Sequence, residues 1–349
     1  MPNLTLTDVR RILCVRPDGL GDMVCATPAF ACLADAFPDA SLTILASPLN
    51  APLLVGNPHV AETLLYEPKG RDRSPARRFY IFREVRRRRF DLVVVMRTAW
   101  DTHLLAALSG ARYRAGYADK RFGRALTHRL VGGHVRGRFH EVDRNLNLLD
   151  ALGVQRVTRT PRLYLLDEER QSAEAWLRAR GCAEPLLLGV HVGASTPDRC
   201  YPESRYAAAA NALIGELRRP ARVLVFGGPG DDERVATVRR GLNFPNEGVT
   251  RLSIRELMAL MARCALMLVN DSGPMHIAAA LNVPLVALFG PGDHVRWMPE
   301  NSNARLVRPD ANRPLALPPK PGHSNLVEIP VAWVVEAGRS VINTDSRSI

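Results

Sequence analysis

No stretch of this 349-residue chain approaches the roughly 18 consecutive apolar residues of a membrane-spanning helix, so no such span is expected. The opening MPNLTLTDVRRILCVR lacks the apolar core of a secretory signal and runs straight into a strand pattern. A cytoplasmic protein is the default expectation. The six cysteines (Cys14, Cys25, Cys32, Cys182, Cys200 and Cys264) form no CxxC pair and no zinc spacing. Reduced thiols acting as small core residues are expected, and no metal site. Aromatic residues are only 6% of the chain and no RNA- or DNA-reading motif is present. Base-stacking platforms, and nucleic acid as a partner, are therefore not expected.

What is present is an ordinary globular mixture, 46% hydrophobic and 23% charged, long enough for two domains with separate cores. The formal net charge is +12 and the isoelectric point near 10.0, which suggests an anionic partner such as a nucleotide, an acidic lipid or a polyanionic glycan. Much of the excess is arginine in the first 140 residues, including the run Arg86–Arg89. That run reads as a solvated helix end before the strand 91–95, with an anionic membrane face or acidic acceptor as the functional alternative.

Apolar runs alternate with periodic segments throughout. Strands are expected at 11–15, 42–46, 62–66, 91–96 and 111–116, and helices at 23–36, 76–88, 102–109 and 140–152. Residues 153–166 read as a linker. A second series follows: helix 168–180, strand 186–192, helix 206–217, strand 222–227, helices 232–240 and 254–263, strand 265–270, a short helix, and strand 284–289. Residues 301–325 read as a loop, 329–342 as a final amphipathic helix, and the last few residues as a frayed end. Such alternation implies parallel sheets with right-handed crossovers, and ligands beyond the carboxyl ends of the strands.

Three strand-to-helix turns carry chemistry. Arg16-Pro17-Asp18-Gly19-Leu20-Gly21-Asp22 lacks the third glycine of a dinucleotide fingerprint, and no acidic residue closes the next strand, so a dehydrogenase is disfavoured. Asp22 has two readings: a helix cap, or a carboxylate that takes a proton from a hydroxyl nucleophile. Gly193-Ala194-Ser195 ends an apolar strand with backbone N–H groups and a hydroxyl available to an anion, and Arg199 follows. His191, inside that strand, reads as a buried, hydrogen-bonded histidine rather than a catalyst. Phe226 to Glu233 combines glycines with Asp231, Asp232 and Glu233, which suit either ribose hydroxyls or a helix N-terminus. The fullest signal is Asn270-Asp271-Ser272-Gly273-Pro274-Met275-His276. Here a strand runs into a helix start that can receive a phosphate, flanked by Asp271 and His276.

Taken together, RPDGLGD…TPA, FPDASLTIL, GNPHV, FDLVV, GARYRAGY, HEVDRNLNLLDALGV, HVGAS, FGGPGDDE and NDSGPMHIAAALNVPLVALFGP resemble glycosyltransferase family 9, the heptosyltransferases of lipopolysaccharide core assembly. The resemblance spans nearly the whole chain, and its first and last segments are the most specific. It implies an α/β fold of GT-B architecture, with two facing Rossmann-like domains and a C-terminal helix crossing back to the first. The implied domains are 1–160 for the acceptor, 167–327 for the nucleotide sugar, and 328–349 as the crossing helix.

The family's general base falls on Asp22. Its donor and phosphate site falls on Gly21, Ser195, Arg199, Asp271, Ser272, Gly273, Met275 and His276, with Asp231 to Glu233 a looser match for ribose. Arg199 and Tyr201 stand where well-studied members carry lysine and tryptophan. The implied reaction is an inverting transfer from a nucleotide-diphosphate sugar, ADP-heptose in the family, to an anionic glycolipid at the cytoplasmic face of the inner membrane. No metal or other cofactor is required in principle, because the leaving diphosphate meets a helix start and a cation. Acceptor recognition is expected in loops 97–103 and 114–138, and a peripheral membrane location is compatible with that acceptor. The alternatives are a nucleotide-sugar epimerase of the same architecture and a binding protein without transferase activity. Phosphorolysis with pyridoxal phosphate is disfavoured, since lysines are few and none lies in a matching strand.

Overall fold

The computed structural model describes residues 6–133, 137, 139–217, 219–290, 292–309 and 325–342. The chain forms two compact units, Met1–Tyr164 and Leu165–Ile349, dividing inside the stretch read as a linker.

The first unit carries six strands: β1 (Arg11–Arg16), β2 (Ser41–Ala46), β3 (Glu62–Leu65), β4 (Leu92–Val95), β5 (Tyr113–Tyr117) and β6 (His128–Leu130). All pair in parallel, in the order β3-β2-β1-β4-β5-β6. Its helices are α1 (Leu20–Val24), α2 (Thr27–Ala36), α3 (Pro75–Arg87), α4 (Trp100–Leu108) and α5 (Glu141–Asp150). β1 and β4 read as nearly unbroken apolar runs because a central parallel strand is covered on both faces. Leu13, Val15, Val93 and Val95 meet Phe82 and Val85 of α3 and Leu105 of α4 in one core.

The single helix expected over 23–36 is two. Proline lacks the N–H that a continuing helix would need at Pro28 to reach the Val24 carbonyl, and the Thr27 hydroxyl donates to that carbonyl instead, at 2.8 Å. The break fixes α1 as a separate short helix carrying Asp22.

The second unit repeats the plan with β7 (Leu186–His191), β8 (Ala221–Phe226), β9 (Asn246–Val249), β10 (Leu266–Asn270), β11 (Leu285–Leu288) and β12 (Ala304–Val307). Their order is β12-β11-β10-β7-β8-β9, again all parallel. Helices are α6 (Asp167–Arg178), α7 (Glu203–Gly215), α8 (Asp232–Arg240), α9 (Ile254–Met261), α10 (Gly273–Ala280), α11 (His294–Trp297) and α12 (Val331–Arg339). The edge strands β6, β9 and β12 fall where the sequence suggested no strand. Each is short and mostly half-exposed, so none leaves an apolar run to read. Residues 310–324 of the expected loop, positions 134–136 and 138 of the 114–138 stretch, Pro291 and the expected frayed end at 343–349 lie outside the described residues.

The sequence reading sends the final helix to the first half. In the structure the apolar face of α12 is taken up by the second unit's own core: Val334 and Val335 join the cluster that holds Leu213 and Leu266. Gly338 lies so close that a Cβ there would stand 2.9 Å from a Leu213 methyl. Arg205 of α7 donates to the Ile329 carbonyl at 2.8 Å, and the Tyr201 hydroxyl to the same oxygen at 3.1 Å. In both sheets the strand order reverses direction once, between β1 and β4 and between β7 and β10. At such switch points the loops splay apart and leave a crevice for ligand.

Candidate active site

In the first unit the switch point is held by a buried arginine. Arg16 ends β1, is 1% exposed, and donates from Nη1 to the Met96 carbonyl just past β4 at 2.8 Å. Its Nη2 donates to Asp22 Oδ1 at 2.9 Å and to Glu141 Oε1 at 2.5 Å, and its Nε to the Asp22 carbonyl at 3.1 Å. Asp18 Oδ1 lies 3.5 Å from Nε. Burial works against charge on this guanidinium, yet Asp18, Glu141 and Asp22 outweigh it and raise its pKa, so Arg16 is a permanent cation.

Glu141 opens α5, is wholly buried, and also accepts from Arg144 Nη1 at 3.0 Å. Arg144 in turn donates to the Thr98 hydroxyl at 2.6 Å and the Gly133 carbonyl at 2.9 Å, with its guanidinium 4.7 Å from the centre of the Tyr117 ring. Asn50, also wholly buried, donates to the Arg16 and Asp18 carbonyls at 3.1 Å each and fixes the loop between them.

Asp22 sits at the third position of α1, beside Gly21. Its Oδ2 reaches back to accept from the Gly19 N–H at 3.2 Å, while Arg16 holds Oδ1. The cap expected at this aspartate is thus made from inside the helix, the acidic arm of a capping box. Its side chain remains 25% exposed, unlike Glu141 on the same guanidinium. One carboxylate therefore anchors the cluster and the other faces outward, fixed in orientation by two hydrogen bonds. In the stretch 97–103, Arg97 is paired with Asp101 at 3.3 Å, and His103 is buried with Nδ1 3.2 Å from the Arg121 carbonyl.

In the second unit the turns after β7 and β10 flank the switch point, since those strands are neighbours with His191 opposite Val269. Asn270 binds them together. It is wholly buried, its Oδ1 accepting from the Tyr201 N–H at 3.0 Å and the Tyr206 hydroxyl at 2.8 Å, its Nδ2 donating to the Val192 carbonyl at 2.9 Å. Ser195 is exposed just past β7. Arg199 is half-buried, with Nη1 3.6 Å from Asp271 Oδ2.

Asp271 is only 4% exposed, and Oδ2 has no hydrogen-bond partner among the described residues. Burial pushes its carboxyl up to about 6, with Arg199 drawing it down and Asp293 adding to the rise. The chain passes Asp271 at Gly292, where a Cβ would stand 2.0 Å from Oδ2.

Ser272 caps α10 by position alone. Its hydroxyl donates to the Asn270 carbonyl at 3.2 Å, leaving the first-turn N–H groups to other partners. The helix begins at Gly273, so Pro274 is its second residue. The Met275 side chain is wholly buried and its N–H donates to the Ser272 carbonyl at 3.1 Å. His276 is 5% exposed and meets Trp297 edge to face, ring centres 5.9 Å apart.

The three acidic residues after β8 separate. Asp231 Oδ2 accepts from the Gly228 N–H at 2.9 Å and lies where a Gly193 Cβ would be 2.1 Å away, which ties the β8 turn to the β7 turn. Asp232 and Glu233 are exposed and paired with Arg251 at 3.8 Å and Arg240 at 2.9 Å. His191 is buried, as expected, and burial lowers its pKa to about 4, so it stays neutral. The hydrogen bond expected with that burial is not made at Nδ1, which has no partner among the described residues. All six cysteines are buried and free.

The sequence reading missed Arg16, Glu141, Arg144 and Asn270 as site residues. The available signal was charge or amide in the wrong place: an arginine closing an apolar strand, and Glu141 and Arg144 beside Val142 on a periodic helix.

Two units in one chain, each a parallel six-stranded sheet with Rossmann strand order, are the architecture of the GT-B class, to which many sugar-transferring enzymes belong. A sequence model of glycosyltransferase family 9 (heptosyltransferase) matches residues 78–316, and the chain belongs to that family. It is a glycosyltransferase. It is 27% identical over 303 residues to lipopolysaccharide heptosyltransferase 3 of Escherichia coli, covering 81% of this chain and 84% of that one. Lipopolysaccharide heptosyltransferase 2 of the same organism is also 27% identical, over 85% of this chain and 88% of its own. Among solved structures, a family 9 glycosyltransferase of Veillonella parvula matches with TM-score 0.87 and 25% identity, covering 97% of this chain and 98% of that one. The ADP-heptose lipopolysaccharide heptosyltransferase II of E. coli matches in fold with TM-score 0.78, 24% identity, 95% of this chain and 98% of that one.

Proposed function

We propose that this enzyme transfers a heptose from ADP-heptose to a hydroxyl of the lipopolysaccharide core, an anionic glycolipid, with inversion at the anomeric carbon. The observation that carries the reading is Asp22: a partly exposed carboxylate at a switch-point turn, held through both oxygens by Arg16 and the Gly19 N–H. It is the general base that takes the acceptor proton as that oxygen attacks the anomeric carbon.

The ADP leaves from the opposite face. Its growing negative charge falls on the start of α10, at Ser272 and Gly273, and on Arg199 and Ser195. Asp271 and His276 hold sugar hydroxyls, and Asp231 is the ribose contact. Asp232 and Glu233 are each turned to a surface arginine and take no part in that contact. Met275 contributes the packing that seats the helix start, since its side chain is buried and its N–H is used.

The relatives' names and the charge of the chain support the donor and acceptor classes. The first unit is the acceptor side and the second the donor side, with the enzyme working at the cytoplasmic face of the inner membrane. Asp22→Asn keeps the shape and the hydrogen bond from Arg16 to Oδ1, loses the one from the Gly19 N–H, and is expected to lower kcat by at least about a hundredfold while ADP-heptose still binds. Full transfer by that variant would remove Asp22 from the role of base. A thermal-shift preference for UDP- or GDP-sugars over ADP-heptose would overturn the donor.

A further inference from the structure

The outward face of α3 has no part in the chemistry above, and its composition is unusual for a solvated helix. At 100° per residue, Ala76, Phe79, Tyr80, Arg83 and Arg87 share one side, opposite the buried Ile81, Phe82 and Val85. Phe79 is 67% exposed and Tyr80 54%. A helix that serves only to cover its sheet gains nothing from two water-facing aromatics beside each other. Around them residues 71–87 hold seven arginines and two carboxylates.

The two carboxylates offset only part of this charge. Asp72 is wholly buried, 3.4 Å from Arg77 Nε, and Glu84 is bound by Arg87 at 3.0 Å and Arg88 at 2.9 Å. Arg73, Arg83 and Arg86 make no ion pair among the described residues. The Arg77 guanidinium lies 5.7 Å from the Tyr80 ring centre, and that of Arg78 lies 4.9 Å from Trp100 at the start of α4.

We infer that the outer face of α3 docks the enzyme on an anionic phospholipid bilayer, with Phe79 and Tyr80 entering the headgroup boundary and the surrounding arginines meeting lipid phosphates. Aromatic rings prefer that boundary, and arginine can lay its stem along apolar surface while its head stays with phosphate. Charge complementarity fixes the occupant: a zwitterionic surface rewards the rings alone, whereas an anionic one adds roughly fivefold in partitioning for each arginine near it. The surface needs no glycolipid acceptor and does not depend on which sugar is moved. Its failure is therefore distinct from failure of the ADP-heptose reading, which donor binding decides.

The test is co-sedimentation with vesicles of equal parts phosphatidylglycerol and phosphatidylcholine, and with phosphatidylcholine alone, using the full chain. The parent should bind the mixed vesicles, bind the neutral ones far less, and be released by salt. Phe79→Ser with Tyr80→Ser should weaken binding at least roughly tenfold, and Arg83→Glu by a similar factor. All three residues are exposed, so melting should be unchanged. Because the whole chain is cationic, Arg178→Glu with Arg239→Glu, exposed on α6 and α8 of the second unit, is the control and should bind like the parent. The inference is overturned if the parent ignores mixed vesicles, if the aromatic variant binds them like the parent, or if the control loses as much as Arg83→Glu.

Discussion

Glu141→Gln tests whether the first unit's switch point is built as described. Glu141 is wholly buried and accepts from two arginines that are themselves 1% and 3% exposed. Glutamine keeps the volume and one acceptor oxygen but removes the charge. Arg16 would keep Asp22 and Asp18, both partly in solvent, whereas the remaining partners of Arg144 among the described residues, the Gly133 and Met96 carbonyls and the Thr98 hydroxyl, are neutral. Removing one partner of a buried pair typically costs about 3–5 kcal/mol, because the other charge stays in place without compensation. For a unit of this size that corresponds to a melting point roughly 6 to 20 °C lower.

The comparison that sharpens the argument is Asp22→Asn, which removes a different carboxylate from the same guanidinium. Asp22 is a quarter exposed and solvent screens its contact, so that variant should cost no more than about 1 kcal/mol. Both are read by thermal and urea denaturation at neutral pH. Glu141→Gln melting within about 1 °C of the parent, or Asp22→Asn proving the more damaging, would refute the assignment of Glu141 as the buried anchor.

Three further outcomes follow from the second unit. Arg199→Ala should raise the KM for the donor roughly ten- to a hundredfold, the loss of one charge-assisted contact, with a smaller effect on kcat; an unchanged KM would leave Arg199 a surface residue. Asn270→Ala strands a tyrosine hydroxyl, a backbone N–H and a carbonyl in the interior and should cost about 2–4 kcal/mol, and a loss near zero by urea denaturation would mean the turns do not depend on it. Asp271 gives a pH signature. Below about pH 4 its carboxyl is neutral in folded and unfolded chains alike. Between about 4 and 6 the unfolded chain ionises while the folded carboxyl keeps its proton, so stability falls as pH rises, by up to about 3 kcal/mol at neutral pH. Asp271→Asn should flatten that slope and stabilise the free protein at pH 7; a slope identical to the parent's would show that Asp271 is already ionised and paired.

How far the sequence foretold this molecule depends on what each residue had to do. The central strands were legible because a parallel strand covered on both faces must be apolar along its length, as Leu92–Val95 and Leu266–Asn270 are apart from the closing asparagine. Of the four edge strands only β3 was, because a strand such as Asn246–Val249 buries only its valine fully and is held by backbone pairing that any sequence can make. The turns were legible for a different reason: glycine, proline and aspartate at fixed offsets report local backbone needs. Asp22, Ser272 and Pro274 accordingly lie at the helix starts where the sequence puts them, with Pro274 one position further into its helix. Local need also competes with ligand need. Asp232 and Glu233 look like ligand residues in sequence, yet a helix N-terminus favours acids for its own sake, and both sit there paired with arginines.

The residues that escaped notice share one property. Arg16 with Glu141, and Asn270 with Tyr206, satisfy each other across 125 and 64 positions of chain. A buried charge or amide is tolerable only when its partner is present, and nothing local to Arg16 announces Glu141. Read alone, an arginine at the end of β1 looks like one more contributor to a net charge of +12. In the fold it is the group that sets the angle of the proposed base, so the positive charge of this chain divides into two kinds. Arg16 and Arg144 are spent internally on carboxylates and carbonyls, and the arginines of α3 are spread over an outer face. Only the second kind is available to an anionic partner, and the inference about membrane docking concerns that kind alone.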